Sequence, residues 1–234
     1  MRPLYCLTII LFFLPEVVLA QFDFSASFGY GTYSMKELKE HQKGIQTQFP
    51  VETKITSSFP GYWYYEAGTN YRFKFNFFVG ATIAYGSTGG KINYQDYSGE
   101  IDCEHKLRYI AVGLPLGYIL PLKAGKMNLQ FELSPSVYFG DMELEVAAEI
   151  NKQREAQSEE FKSTNIGLRP SIRLERKTGP VRIFIQAGYY LDVYRSNLTV
   201  KDNSEYYLLN NQDEAVHTNF SGLRTAIGVS YGLK

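Results

Sequence analysis

Three histidines, one cysteine beyond the N-terminal leader and scattered hydroxyls are the groups in this 234-residue chain best suited to nucleophilic or metal chemistry. His41, His105 and His217 stand far apart, with no HExxH, no histidine pair at metal-ligand spacing and no cysteine cluster. A His-Ser-acid hydrolytic site could be sought only at His217-Thr218 or at His105 beside Glu104, and a solvated surface histidine is the ordinary reading of each. Gly86-Ser87-Thr88-Gly89-Gly90 lacks the lysine and the following helix of a phosphate loop, so it reads as a turn at a strand end. Cys103 has no internal disulfide partner once the leader is removed. The expectation is a non-enzymatic protein with no catalytic residues, no cofactor and no metal site.

Charged residues are placed with more order. Glu66, Arg72, Glu132, Arg169, Arg173, Arg182, Asp192 and Arg224 each fall on the polar side of a strict apolar/polar alternation. Strand side chains project to opposite faces with period two, so such residues share one face. If that face lines a narrow enclosed space, charges of both signs must pair and hydrogen-bond there. The set is expected to act as a structural plug rather than as an ion pathway.

The elements that would position these charges repeat about eight times. Phe22, Phe24, Ala26, Phe28 and Tyr30 alternate with Asp23, Ser25, Ser27, Gly29 and Gly31. Leu129, Phe131, Leu133, Val137 and Phe139 alternate with Asn128, Gln130, Glu132, Ser134 and Ser136. The predicted strands are Phe22–Tyr33, Tyr62–Phe73, Phe75–Tyr85, Tyr109–Leu120, Met127–Phe139, Asn165–Glu175, Val181–Tyr194 and Phe220–Leu233. Connections near residue 74, at 121–126 and at 177–180 are short; those over 34–60, 87–107, 140–164 and 195–219 are long. An aromatic-rich greasy face on many strands, with loop lengths sorted in this way, is the mark of a barrel whose outside is wetted by lipid. A free sheet edge in hydrocarbon would leave backbone groups unpaired, so the first and last strands must join. The fold class is therefore all-β: an eight-stranded antiparallel up-and-down transmembrane β-barrel with short periplasmic turns, long extracellular loops and one short loop helix. Eight strands leave an interior just wide enough to be filled by side chains.

Composition and the N-terminus agree with that reading. Residues 1–20 have a basic start, the apolar run Leu7 to Leu14 and small residues at Val18-Leu19-Ala20, the pattern of a secretory signal peptide. Residues 21–234 form one barrel domain with no linker. The 24 basic and 24 acidic residues balance, which argues against a nucleic-acid partner. Phe22, Phe73 and Phe75 at one end, and Tyr30, Tyr33, Tyr62, Trp63, Tyr85 and Phe139 at the other, suit interfacial girdles.

Two outer segments carry further signals. Ser34-Met35-Lys36-Glu37 has capping-box spacing, and Met35, Leu38, Gln42 and Ile45 would share one face of a short helix. Beyond Phe139 the apolar residues move to even positions, at Met142, Leu144, Val146 and Ala148, and beyond Ile110 the neighbouring strand switches likewise. A bulge near Gly140-Asp141 would swap the faces. This hairpin is expected to continue past the bilayer, apolar side inward, beneath the first-loop helix. The run Glu155–Glu160 reads as a solvated loop tip.

The openings Gln21-Phe22…Phe28-Gly29-Tyr30-Gly31 and Ser58-Phe59-Pro60 to Tyr65-Glu66-Ala67-Gly68 resemble the small porin-like outer-membrane β-barrel family of Bacteroidetes. Ser87-Thr88-Gly89-Gly90 with Tyr94-Gln95-Asp96-Tyr97-Ser98-Gly99-Glu100 adds to the likeness, whereas Tyr231-Gly232-Leu233-Lys234 lacks the terminal aromatic common in such barrels. The resemblance implies an outer-membrane location in a Gram-negative cell, with both chain ends periplasmic. It implies outer-membrane lipids and the barrel-assembly machinery as partners; an extracellular partner would be met by the loops. The expected role is non-enzymatic surface binding or envelope support. The alternatives are a small channel, a lipid-modifying barrel enzyme, or a soluble barrel with its apolar face turned inward.

Overall fold

Each alternating segment is a β-strand in the computed structural model of the chain. It describes residues 21–232 except Pro50, Ser98, 123–125 and 151–152, so the leader predicted over 1–20 lies outside the described residues. In chain order the elements begin with β1 (Gln21–Gly31), α1 (Lys36–Gln48), β2 (Lys54–Ser58), β3 (Tyr62–Arg72) and β4 (Phe77–Gln95). Next come β5 (Gly99–Gly113), β6 (Leu116–Leu122), β7 (Met127–Ile150) and β8 (Gln153–Thr178). β9 (Val181–Arg195), β10 (Thr199–Val200), β11 (Asn203–Tyr207) and β12 (Gly222–Gly232) complete the chain.

Eight antiparallel staves close into a ring: β1, β3, β4, β5 with β6, β7, β8, β9 and β12. The seam is β1 against β12, paired from Asp23↔Gly232 to Gly31↔Arg224. β5 and β6 are one stave interrupted at Leu114-Pro115, because proline supplies no N–H to the ladder. The Leu114 amide donates to the Pro135 carbonyl (2.9 Å) and the Pro115 carbonyl accepts from Gly80 (2.7 Å), which keeps the two halves in line. One end carries the described chain ends, Gln21 and Gly232, and the tight turns. The β8–β9 turn is Gly179-Pro180, with Gly179 at φ +67°. The turn predicted near residue 74 is longer than expected, Phe73 to Asn76, with Asn76 at φ 62°.

Phe28, Ile83, Val112, Leu133, Ile172, Ile185 and Ile227 are exposed on the outside, spread around the ring. A band of this kind is stable against acyl chains rather than water. Tyr30, Tyr62, Trp63, Tyr85 and Phe139 are exposed at the loop end as predicted, but Tyr33 is only 5% exposed and belongs to the interior.

At the loop end the two halves of the barrel differ in height. β4, β5, β7 and β8 run on well past the others, so most of the predicted loops 87–107 and 140–164 is a wall of strand. Gly86 to Gly90 lies within β4 rather than in a turn, and Glu155 to Glu160 lies within β8. β2 adds to β4 on one flank of this wall, and β10 with β11 to β8 on the other. The expected bulge at Gly140-Asp141 is absent: β5 and β7 pair without a shift from Gly113↔Ser136 to Gly99↔Ile150. The strands keep their faces and the surroundings change. Below Phe139 the outside meets lipid and the inside is polar; above it the outside meets water, so apolar residues belong inside.

Helix α1 and the segment around Leu198 to Phe220 pack on the inner face of the wall as a lid. Met35, Leu38, Phe59, Leu107, Met142, Phe161, Leu198, Val216 and Phe220 form its buried apolar core. The predicted capping box does not form. Met35 occupies the N-cap in a left-handed conformation (φ 44°) with no side-chain cap. The Ser34 and Met35 amides are tied to the carbonyls of Ser221 (2.9 Å) and Asn219 (3.1 Å), and Glu37 is taken up by His217.

Candidate functional site

The interior of the barrel is filled in layers. Nearest the turn end, Asp23 of β1 receives Arg72 of β3 and Arg182 of β9, and Glu175 of β8 lies 3.4 Å from Arg72 and 3.7 Å from Arg182. At mid-barrel Arg169 of β8 donates to both oxygens of Glu66 on β3, at 2.6 and 3.2 Å. Its Nη2 also lies 3.5 Å from Glu132 of β7, which Arg173 approaches at 3.6 Å. Gln186 of β9 accepts from Arg173 at 2.9 Å and donates to Ser171 at 2.9 Å. The Arg173 guanidinium rests 4.2 Å over the Phe184 ring. Each of these residues sits at an inward position of its strand, and the ring brings together residues more than 100 apart in the chain.

Above the ions lies a layer of rings: Tyr33, Tyr64, Tyr109, Tyr138, Tyr190 and Phe220, all 5% exposed or less. Tyr138 and Tyr190 meet at 4.3 Å with their planes tilted by 38°, and the hydroxyls of Tyr33 and Tyr109 hydrogen-bond at 3.0 Å. The layer fits because the staves it crosses carry glycine at the contact: a Cβ on Gly86 would lie 2.4 Å from the Tyr109 oxygen, and one on Gly167 2.6 Å from Tyr190. The apolar lid closes the stack.

Six of the eight predicted charges enter the ion lattice: Glu66, Arg72, Glu132, Arg169, Arg173 and Arg182. Arg224 is buried but, among the described residues, pairs with no carboxylate. It donates to the backbone carbonyls of Thr32, Leu223 and Phe220 and lies 4.6 Å over the Tyr33 ring, in the ring layer. Asp192 sits higher still, its carboxylate accepting from the Phe220 amide at 2.5 Å, and so anchors the lid strap rather than the lattice. Asp23 and Glu175 are missing from the predicted set. Their signal was the same alternation, since Asp23 lies between Phe22 and Phe24, and Glu175 follows Arg173 by two.

The histidines are not surface groups as expected. His105 is fully buried between lid and wall, His41 of α1 is 7% exposed, and their rings meet edge to face at 5.8 Å. Among the described residues, both ring nitrogens of His105 and Nδ1 of His41 have no hydrogen-bond partner. Burial, with His41 adding to it, pushes the His105 imidazole down from 6.5 to about 4, and burial lowers His41 as well. Burial also raises the neighbouring Cys103 thiol to about 11, which keeps it neutral. His217 is the exception, half-exposed with Nδ1 2.8 Å from Glu37, which Arg195 also holds at 3.0 Å. A carboxylate on Nδ1 is how a general base is oriented, but among the described residues no hydroxyl or thiol bonds to the ring.

A pH prediction follows from the buried pair. An imidazole whose folded pKa is depressed binds protons better in the open state, so closure is favoured above about pH 6.5 and weakens as pH falls toward about 4. At the acid end His105 alone accounts for about 3 kcal/mol. Once the slowing of intrinsic exchange in acid is divided out, opening of the α1 amides is expected to quicken between pH 7 and pH 5, seen as falling protection factors, while β1 and β12 keep theirs. In His41→Leu/His105→Leu that acceleration is expected to vanish; an unchanged pH response in the variant would refute the assignment.

No family model matches the sequence, and no curated protein matches it. Solved structures do. The outer membrane protein OprG from Pseudomonas aeruginosa superposes with a TM-score of 0.53 at 10% identity, covering 92% of this chain and 96% of that one. The architecture is that of an outer-membrane β-barrel. A major outer membrane protein from Thermus thermophilus gives 0.50 at 11% identity, covering 92% of this chain and 99% of the other. At such identities the likeness extends to the fold and stops there.

Proposed function

We propose that this chain is a non-enzymatic outer-membrane barrel whose lumen is shut and whose outer wall presents a binding surface outside the cell. Both termini and the tight turns would face the periplasm, and the wall, lid and β10–β11 flap would face outward. The observation that supports this is the stack of ion lattice, ring layer and apolar lid, three fillings of different chemistry in one narrow tube. A solute would have to break buried ion pairs and then part a packed apolar core. Outer-membrane lipids are the proposed surroundings, and the barrel-assembly machinery the proposed agent of insertion. An extracellular partner would meet the tall wall and the flap beside it, whose exposed rings include Tyr97, Tyr206 and Tyr207. The test is a conductance trace of the refolded full chain in planar bilayers. No steady current is expected; sustained ohmic conductance from single insertions would make the protein a channel instead.

A further inference from the structure

Two imidazoles on the inner face of the tall wall are left unsatisfied. His105 stands on β5 and His41 on α1, so the pair bridges wall and lid, with ring centres 5.8 Å apart and planes at 84°. Three of their four ring nitrogens are buried and, among the described residues, have no hydrogen-bond partner. Buried polar atoms in that condition are rare, and each calls for a group that answers it. Gln42, next to His41, adds another. Its amide nitrogen donates to the Ser57 carbonyl at 2.7 Å, while its amide oxygen has no partner among the described residues. That oxygen lies against the row of His105: a Cβ on Gly90, the register partner of His105, would come 3.1 Å from it.

The surroundings restrict what could fill the gap. Phe59 meets the His105 ring at 5.9 Å, and Leu38, one turn before His41, and Leu107, the next inward residue on β5, are fully buried. Among the described residues no three His, Cys, Asp or Glu side chains converge on a possible ion. A divalent ion, which wants four or more ligands and some of them anionic, is poorly served here. Neutral nitrogens in an apolar shell suit a soft ion of single charge and low coordination number, which describes cuprous copper. With metal–nitrogen bonds of about 2 Å, two imidazoles sharing one ion have ring centres about 6 Å apart, close to the separation seen. His41 keeps 7% of its surface exposed, which gives an ion a way in.

We propose that His41 and His105 bind one cuprous ion between them, and that the ion clasps α1 to the wall. A water bridging the two rings is the plain alternative, and it predicts no metal uptake. The ion needs both elements in place, so it binds the closed lid and not the open one. The acid response described above is that of the metal-free chain. Lid and wall alone form the site, so it holds whichever way the barrel faces.

The test uses the full chain refolded in detergent micelles, stripped with chelator and titrated with cuprous ion under anaerobic conditions against a chromogenic cuprous chelator. Wild type is expected to take up one equivalent, and His41→Leu/His105→Leu to lose at least about tenfold in affinity. His217→Gln removes the half-exposed histidine and is expected to bind as wild type. With free ion at about 100 times Kd, protection factors of the α1 amides are expected to rise about a hundredfold while those of β1 and β12 stay unchanged. X-ray absorption of the loaded chain is expected to show nitrogen or oxygen neighbours and no sulfur. Absence of uptake overturns the proposal, as does uptake that survives loss of both buried histidines or vanishes with His217. Sulfur in the first shell, or α1 protection unmoved by the ion, overturns it equally. These last two readouts need no variant, so they decide the matter even if the double substitution prevents folding.

Discussion

Replacing Arg169 by methionine is expected to destabilise the folded barrel by about 3–5 kcal/mol, the usual consequence of removing one partner from a buried ion pair. Among the described residues Arg169 is the one group hydrogen-bonded to the Glu66 carboxylate, so its loss leaves that carboxylate buried without a direct partner. Glu132 suffers less because Arg173 stays within 3.6 Å. The companion variant is therefore Arg169→Met with Glu66→Gln, which removes both charges of the bidentate pair and leaves Glu132 to Arg173. It is expected to recover most of the loss, since a buried pair replaced whole by neutral groups is often near neutral. Urea unfolding in lipid vesicles, followed by the band shift between folded and unfolded forms, measures both. If the single variant were as stable as wild type, water would have to reach Glu66, and the lumen would not be dry.

The barrel was legible in the sequence because lipid enforces a two-residue period on every stave, and because closure and loop sorting follow from leaving no backbone group unpaired in hydrocarbon. Alternation also marked the inward side, so Glu66, Glu132, Arg169 and Arg173 were found on one face although they lie on three different strands. What alternation does not encode is height along the tube. Arg224 and Asp192 have the right parity but sit in the ring layer and beneath the strap, where carbonyls and amides satisfy them instead of opposite charges. The histidines were misread for a related reason. His105 occupies an odd, inward position on β5, but it lies above the bilayer, where inward means apolar rather than polar. The capping box failed because the backbone at Ser34 and Met35 is already tied to the Phe220 strap, which leaves Glu37 free to reach His217.

A charge scan along β7 tests that change of solvent directly, and a large effect is expected at two of its three positions. Leu133 is 40% exposed on the lipid side at mid-span, and Leu133→Arg is expected to cost about 2–4 kcal/mol, the range for a cation near the bilayer midplane. Ten residues on, Glu143 has the same parity and the same outward direction but lies above the last lipid-facing row, so Glu143→Arg is expected to stay within about 0.5 kcal/mol. Met142, one residue before it, faces the lid core at 1% exposure. Met142→Arg buries an unpaired cation among apolar groups and is expected to open the lid, with faster proteolysis of α1 and little change in the unfolding of β1 and β12. The three outcomes rank by solvent and not by residue type. A barrel standing in water would level the first two, tolerating arginine at Leu133 as readily as at Glu143, and equal stability of those two variants in vesicles would rule out lipid as the medium around the staves.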